Sequence, residues 1–312
     1  MELNSKIYIA GHRGLVGSAI LRALQNKGYY NLVFRTRAEL DLRNKEEVDQ
    51  FFGMEQIEYV FLAAAKVGGI VANNEYPADF IRDNLQIQSH VIDAAYQAKI
   101  NKLLFLGSTC IYPKHAPQPL KEEYLLTGDL EPTNRAYAVA KIAGITMCQS
   151  YNKQFGTSFI SAMPTNMYGP NDNFDLQTSH VLPALIRKFH EAKINNESFV
   201  EVWGTGTPKR EFLHSDDLAE ACLFLMNHYE QDEIINIGVG DDISIKELAE
   251  LVQKIIGYEG DIVFNTSAPD GTPRKLVDVT KINKLGWKAR ISLEDGIRSV
   301  YSSFRDEALI KQ

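Results

Sequence analysis

Five short apolar runs in the first half of the chain lack polar alternation. They cover residues 6–10, 31–35, 59–65, 102–108 and 158–164. Such runs are typical of strands in a parallel sheet that is buried on both faces. Helical patterns separate them, at residues 15–28, 44–53, 78–99 and 134–156. Strands that alternate with helices predict an α/β fold with a doubly wound parallel sheet, the Rossmann arrangement.

The pattern becomes less regular after about residue 165. Helical patterns follow at 179–193 and 244–257, and the second opens with Ser244 and Glu247 spaced as a capping box. This half predicts a smaller, mixed α/β substrate lobe.

An apolar run at 234–238 could return to the first sheet. The predicted division therefore gives a nucleotide-binding domain at residues 1–165, rejoined by 212–240, and a substrate lobe at 166–211 and 241–312.

Composition narrows the classes of partner. The formal net charge of −7 argues against a nucleic-acid partner, because phosphate-backbone binders normally present a basic face. No apolar stretch is long enough for a membrane span. The opening "MELNSKIYIAGHRG" lacks a basic segment followed by a long apolar one, so we expect a cytoplasmic protein with no membrane partner.

Three cysteines, Cys110, Cys148 and Cys222, form no C-x-x-C pair. Their odd number and wide spacing predict neither a disulfide framework nor a metal site. Cys148 and Cys222 lie within helical apolar patterns and are expected in the core.

A glycine-rich turn, "IAGHRGLVGSAI", links the first predicted strand to the first predicted helix. Glycines at 11, 14 and 17 would let the turn be tight and let its backbone approach a pyrophosphate at the positive end of the helix. The context predicts a dinucleotide site. Its cofactor-binding residues would be Gly11, His12, Arg13, Gly14, Leu15, Val16 and Gly17.

The second predicted strand indicates which dinucleotide binds. Enzymes that use NAD usually end this strand with an acidic residue that binds the ribose 2′-hydroxyl. Here Arg35 and Arg37 follow the strand, and Arg13 lies in the glycine turn. Guanidinium groups pair well with a 2′-phosphate, so the sequence favours NADP(H) over NAD.

Tyr137 and Lys141 form a Y-x-x-x-K pair in a predicted helix. At this spacing the two side chains share one helix face, and a nearby ammonium favours the phenolate. Ser108 follows a predicted strand at the sheet edge where α/β proteins bind ligands. It could donate a hydrogen bond to the oxygen that Tyr137 protonates.

Cys110 follows Ser108 by two residues. The local pattern allows a packed small hydrophobe, half of a redox pair, or a second catalytic group. The absence of a C-x-x-C pair counts against the redox interpretation, and the position beside Ser108 counts against simple packing.

Long strings across the chain resemble the extended short-chain dehydrogenase/reductases. They include "AGHRGLVGSAI", "GSTCIYPK", "NRAYAVAKIAG", "MPTNMYGPNDNF", "WGTGTPKREFLH" and "DGTPRKLVDVT". Within that family the chain is similar to enzymes that epimerise and reduce GDP-4-keto-6-deoxy-mannose. The resemblance implies an NADP(H)-dependent enzyme, a GDP-sugar substrate and a homodimer formed through the helices at 78–99 and 134–156.

The resemblance also implies residue roles. Cys110 would be the base and His180 the acid that invert carbons 3 and 5, while Tyr137 donates a proton during reduction. The cofactor would contact Lys141, Pro164, Asn166, Met167 and His180. The substrate would contact Lys188, Trp203, Arg210, Asp270 and Lys275, with Arg187 and Arg274 as weaker candidates.

Three other interpretations remain open at this stage. The substrate could be a related GDP-4-keto sugar, such as a heptose or a colitose precursor, and the enzyme could only reduce carbon 4. The chain could instead be an epimerase or dehydratase that retains NAD without net oxidation. A non-enzymatic nucleotide sensor would have no reason to keep Ser108, Tyr137 and Lys141 together.

Overall fold

A computed structural model describes residues 1–268 and 270–310. The strands are β1 Ile7–Ala10, β2 Leu32–Val33, β3 Tyr59–Leu62, β4 Lys102–Leu106, β5 Phe159–Pro164, β6 Asn166–Tyr168, β7 Phe199–Trp203, β8 Lys209–Arg210, β9 Phe212–His214, β10 Ile235–Ile237, β11 Ile243–Ser244, β12 Asp261–Asn265 and β13 Arg274–Lys275. The α-helices are α1 Leu15–Asn26, α2 Lys45–Glu55, α3 Ile70–Glu75, α4 Pro77–Gln97, α5 Arg135–Phe155, α6 Val181–Asn195, α7 Ser215–His228, α8 Ile245–Ile256, α9 Thr280–Leu285 and α10 Leu293–Ile310. No helix within these ranges is both long and apolar enough to cross a membrane.

The main sheet has six parallel strands in the order β10-β5-β4-β3-β1-β2. Side chains of successive residues in β1 point to opposite faces of the sheet. Ile7 and Ile9 pack with α1 and α7. Tyr8 and Ala10 pack with α2, α4 and α5. Both faces are therefore covered, which explains why the strands show no polar alternation. The predicted doubly wound α/β fold is confirmed.

Several boundaries differ from those predicted. β2 has only two residues, because the chain leaves the sheet after Val33, whereas the apolar pattern predicted a strand at 31–35. The run at 234–238 contains β10, the edge strand beside β5. Helices α3, α9 and α10 were not predicted from the pattern; α3 and α9 have six residues each, too few to show a clear helical period.

The glycine turn between β1 and α1 depends on close backbone contact. Gly11 has φ of +87°, a region that residues with a Cβ rarely adopt. A Cβ on Gly17 would lie 2.1 Å from the carbonyl oxygen of Gly11. Gly14 is the N-cap of α1 and has no side chain to bond the first turn of the helix. The backbone N–H groups there are available to an anion, as a pyrophosphate site requires.

Three small sheets build the second half: β11-β8-β13, β12-β7 and β6-β9. Helices α6, α8 and α10 surround a separate apolar core that includes Phe189, Leu248 and Ile297. The side chain of Glu211 lies where this half meets the main sheet. Its carboxylate accepts hydrogen bonds from the backbone N–H groups of Val239, Gly240 and Val277, at 2.6, 2.7 and 2.9 Å.

We predict opposite effects from adding a methyl group at two helical glycines. Gly17→Ala should lower the free energy of unfolding by about 1–3 kcal/mol, because the new Cβ overlaps backbone atoms that cannot move independently. Gly53→Ala in α2, where no atom outside the local backbone of the helix lies within 4 Å of the added Cβ, should raise it by up to about 1 kcal/mol. Urea unfolding measures both. Equal effects of the two substitutions would contradict the geometry of the turn.

Candidate active site

The predicted Ser108, Tyr137 and Lys141 come together at the carboxyl edge of the main sheet. Ser108 follows β4, and its hydroxyl lies near the phenol of Tyr137 on α5. Burial and the neighbouring Cys110 raise the pKa of Tyr137, whereas the nearby Ser108 hydroxyl lowers it. The tyrosine is therefore protonated at neutral pH and can donate to an oxygen that gains negative charge.

Lys141 is 4% exposed, and its Nζ donates to the carbonyl of Leu106 at 2.8 Å. The Nζ also lies 4.8 Å from the ring centre of Phe105 and 5.7 Å from that of Tyr137. Burial lowers the pKa of Lys141 to about 7. The amine can therefore change its charge near neutral pH, and its positive form would stabilise a phenolate at Tyr137.

Cys110 is half-buried, and two side-chain donors point at its sulfur. Asn134 Nδ2 lies 3.5 Å and Lys275 Nζ lies 3.6 Å from Sγ. The backbone N–H of Cys110 donates to Ser108 Oγ at 3.2 Å. Two polar contacts at the sulfur are not those of a packed hydrophobe, so Cys110 is available for a polar role.

Asn134 is a site residue that the sequence analysis missed. It ends a short 3₁₀ turn at 132–134, immediately before α5. The carboxylate of Glu131 accepts from the backbone N–H groups of Thr133 and Asn134, which fixes this turn. Its position three residues ahead of Tyr137 could have indicated a place near the site.

His180 is the N-cap of α6 and is an exposed residue. The surrounding protein and the positive charge of Lys275 lower its pKa. The segment that precedes His180 is fixed by Gly69, which comes just before α3: the backbone N–H of Gly69 donates to the carbonyl of Thr178 at 3.0 Å. Lys275 therefore acts on both the proposed acid and the proposed base.

Arg210 and Lys275 lie side by side on β8 and β13, where they are register partners. The guanidinium of Arg210 donates to the carbonyls of Lys209 and Asp270, at 2.8 and 3.4 Å. Burial lowers the pKa of Arg210, whereas the nearby Asp270 and Cys110 raise it. The structure therefore brings Arg210, Lys275 and Cys110 together, although they are far apart in sequence.

The other substrate-lobe candidates differ in what they touch. Trp203 is 48% exposed, and Lys188 Nζ lies 5.3 Å from its ring centre, which leaves a flat surface beside a cation. The carboxylate of Asp270 accepts from the backbone N–H and the hydroxyl of Thr205, at 2.7 and 2.9 Å. It thus supports the turn after Trp203.

Arg187 and Arg274 have carboxylate partners within the protein. Arg187 donates to Glu191 at 2.7 Å, and Arg274 donates to Asp242 at 2.5 Å. Their guanidinium groups are therefore less available to a ligand than that of Arg210.

The three predicted phosphate-binding arginines are not equivalent. Arg13 is exposed beside the glycine turn, and the side chain of Arg37 is 72% exposed. Arg35 instead pairs with the carboxylate of Glu55 and lies over the ring of Phe51. Arg13 and Arg37 can therefore bind a 2′-phosphate without breaking an ion pair as close as the one between Arg35 and Glu55.

Two further groups line the predicted cofactor side. The ring of His12 packs 4.7 Å from that of Phe34, and its Nδ1 is buried without a hydrogen-bond partner among the described residues. Pro164 ends β5, and β6 begins at Asn166 and includes Met167. Asn166 Nδ2 donates to the backbone carbonyl of Glu211 at 2.8 Å, which ties β6 to the residue just before β9.

The glycine turn, the six-stranded sheet and the neighbouring Ser108, Tyr137 and Lys141 are features of a nucleotide-dependent dehydrogenase/reductase fold. The sequence model described as the NAD dependent epimerase/dehydratase family matches residues 7–238. The chain belongs to this family, and the resemblance to extended short-chain dehydrogenase/reductases is confirmed.

Curated relatives and a solved structure match over nearly the whole chain. GDP-L-fucose synthase 1 of Arabidopsis thaliana is 60% identical, over 96% of this chain and 93% of that protein. GDP-L-fucose synthase of Escherichia coli is 56% identical over 96% of each chain. The structure of a GDP-mannoheptose C4 reductase from Campylobacter jejuni with NADP bound is 46% identical, covers 98% of this chain and 99% of that one, and has a TM-score of 0.91.

The burial of Lys141 predicts a pH-dependent contribution to stability. The folded-state pKa is about 7 and the ordinary value is 10.5, so unfolding takes up a proton between these limits. Stability from this residue should therefore rise as pH increases from 7 towards 10. Lys141→Met should abolish that rise. The free energy of unfolding of the variant minus that of the parent protein, measured in urea, should therefore decrease between pH 7 and pH 9.5. A difference that does not change with pH would contradict a buried amine of low pKa.

Proposed function

We propose that the protein is an NADPH-dependent 3,5-epimerase and 4-reductase that converts GDP-4-keto-6-deoxy-D-mannose to GDP-L-fucose. The observation that carries the proposal is the convergence of two sets of groups at one sheet edge. Ser108 and Tyr137 could bind a ketone oxygen, while Cys110 and His180 could exchange protons at the adjacent carbons. Relatives at 56–60% identity that are called GDP-L-fucose synthases support this substrate.

The epimerisation requires protons on the sugar carbons that are acidic enough for a side chain to remove. The ketone at carbon 4 acidifies the protons on carbons 3 and 5, because the resulting negative charge spreads onto the ketone oxygen. Cys110 removes a proton from one face, and His180 delivers one from the other. Ser108 and Tyr137 stabilise the oxygen charge in each inversion.

The residues of the glycine turn fit NADP(H). The cradle at Gly11 and Gly17 is too tight for side chains but open to an anion at the start of α1, and Arg13 and Arg37 offer exposed cations for a 2′-phosphate. Bound NADPH supplies a hydride to carbon 4 of the sugar. Tyr137 would protonate the ketone oxygen, and Lys141 would hold the nicotinamide ribose.

The substrate lobe would bind the GDP part of the substrate. Arg210 offers a guanidinium to the diphosphate, and Trp203 with Lys188 offers a flat, positively charged surface. Asp270 would shape this region through the turn it supports. The lobe would comprise residues 166–211 and 241–312, with cofactor binding assigned to residues 1–165 and 212–240.

Assembly and location extend the proposal. We expect a homodimer through α4 and α5, and on α5 Val139 and Phe155 are exposed at 39% and 43%. A cytoplasmic location suits the chain, because Cys110, Cys148 and Cys222 are all unpaired and the proposed base must stay reduced.

A second candidate is a C4 reductase that performs no epimerisation. The solved structure of a GDP-mannoheptose C4 reductase, 46% identical, favours it. Cys110 and His180 would then lie near the sugar without exchanging its protons.

Solvent exchange separates the two candidates. In deuterated water without NADPH, we expect the enzyme to place deuterium at carbons 3 and 5 of GDP-4-keto-6-deoxy-D-mannose, as read by NMR. Cys110→Ser should slow this exchange by about 10²–10⁴-fold, because serine is a far weaker base. Reduction of the 3,5-epimerised ketone should continue in this variant. No exchange by the parent enzyme, together with NADPH consumption, would leave only the reductase.

The arginines beside the glycine turn should differ in their effect on cofactor affinity. Arg37→Ser should raise the KM for NADPH about tenfold or more, since it removes a charge-assisted contact to the 2′-phosphate. Arg35→Ser should change it less, because Arg35 is paired with Glu55. Initial rates with NADPH and NADH provide the comparison, and the KM for NADH should change little in either variant. A larger effect at Arg35 would contradict these roles.

A further inference from the structure

The sulfur of Cys110 lies between two elements of different origin. Asn134, from the turn before α5, and Lys275, from β13 of the second half, both donate towards Sγ, at 3.5 and 3.6 Å. A neutral thiol accepts hydrogen bonds only weakly, whereas a thiolate accepts them well. Two donors directed at one sulfur are therefore the environment of a thiolate.

Lys275 is the cation near Cys110 whose charge is available to interact with the sulfur. Among the described residues, no carboxylate oxygen lies within the 4.0 Å ion-pair distance of its Nζ. The neighbouring cations are engaged: Arg274 pairs with Asp242, and Lys114 lies 3.9 Å from Glu131. Arg210 directs its guanidinium at backbone carbonyls.

The strand that carries Lys275 is tied to the segment that follows Cys110. The N–H of Leu120 donates to the carbonyl of Leu276 at 2.7 Å, and the N–H of Leu276 donates to Gln118 Oε1 at 2.9 Å. From the other side, the N–H of Val277 donates to Glu211 Oε2 at 2.9 Å. The strand that places the ammonium beside the sulfur is therefore fixed by hydrogen bonds on both sides.

We propose that Lys275 is a positioning residue that holds Cys110 as a thiolate, so that the substrate lobe supplies the charge that activates the epimerase base. This inference rests on the proposed function, because it assigns Cys110 as that base. It differs from a role in binding the GDP part, because a substrate ligand would not alter the thiol of the free enzyme.

The same ammonium should act oppositely on the acid. Desolvation by the surrounding protein lowers the pKa of His180, and the charge of Lys275 lowers it further by disfavouring the imidazolium. The remaining titratable or charged groups around the sulfur are Tyr137, Arg210 and the paired side chains named above. Removal of Lys275 should therefore reduce the thiolate fraction of Cys110 and increase the imidazolium fraction of His180 together.

The test measures Cys110 directly, without substrate. The alkylation rate by iodoacetamide is followed from pH 5 to pH 10, and peptide mass spectrometry assigns the label to Cys110. Cys148 and Cys222 are fully buried and should remain unmodified. Lys275→Met should shift the inflection upwards by about one pH unit or more and slow alkylation at pH 7 about tenfold. Lys275→Arg should restore much of the rate.

A matched control lies on the adjacent strand. Lys209 is exposed on β8, beside the register partner of Lys275, and Lys209→Met should leave the alkylation profile unchanged. If Lys275→Met fails to fold, as judged by circular dichroism, Lys275→Gln keeps a polar side chain of similar reach and serves in its place.

Kinetics separate failure of this inference from failure of the proposed function. With Lys275→Met, kcat for deuterium exchange at carbons 3 and 5 should fall at least tenfold, while kcat for reduction of the 3,5-epimerised ketone changes only a few-fold. An unchanged alkylation profile with a raised KM would make Lys275 a substrate ligand only and overturn the inference. If Lys275→Met shifts the alkylation profile but the parent enzyme shows no exchange at carbons 3 and 5, the thiolate contact is supported and the proposed epimerase is overturned.

Discussion

The buried carboxylate of Glu211 is the constraint on which the site depends. Its side chain has no solvent exposure, and it binds backbone N–H groups of Val239, Gly240 and Val277. An unpaired buried carboxylate would be strongly destabilising, but hydrogen bonds from three peptide groups offset much of that cost. Because those groups belong to the turn after β10 and to the segment after β13, one side chain fixes the substrate half against the edge of the main sheet.

This arrangement makes the candidate active site a composite of both halves. The main sheet and α5 present Ser108, Tyr137 and Lys141 as a rigid group, while β8 and β13 bring Arg210 and Lys275 towards it. The proposed reduction depends mostly on the first set of groups. The proposed proton transfers at carbon depend on both sets, since Cys110 comes from one half and its cationic neighbour from the other.

The sequence alone was sufficient for the parts of the protein that short segments encode. The glycine turn, the buried strands and the Y-x-x-x-K pair depend on neighbours within a few residues, so their patterns predicted the sheet and the triad. Long-range pairings were not predictable in this way: the contact of Lys275 with Cys110 joins residues 165 positions apart. Arg35 shows the same limit, because its orientation depends on Glu55, 20 residues further along.

The pairing of Leu120 with Leu276 has a consequence for how such enzymes diversify. A lobe that recognises a new sugar cannot be exchanged as an independent module, because its strand β13 is joined to the loop that leads away from Cys110. A chimera that replaced residues 241–312 alone would inherit mismatched partners at this junction, and its thiol would lose a defined neighbour. The proposed recognition of the nucleotide-sugar and the proposed acid-base chemistry at carbon are therefore linked through one short β-bridge, that of Leu120 with Val277.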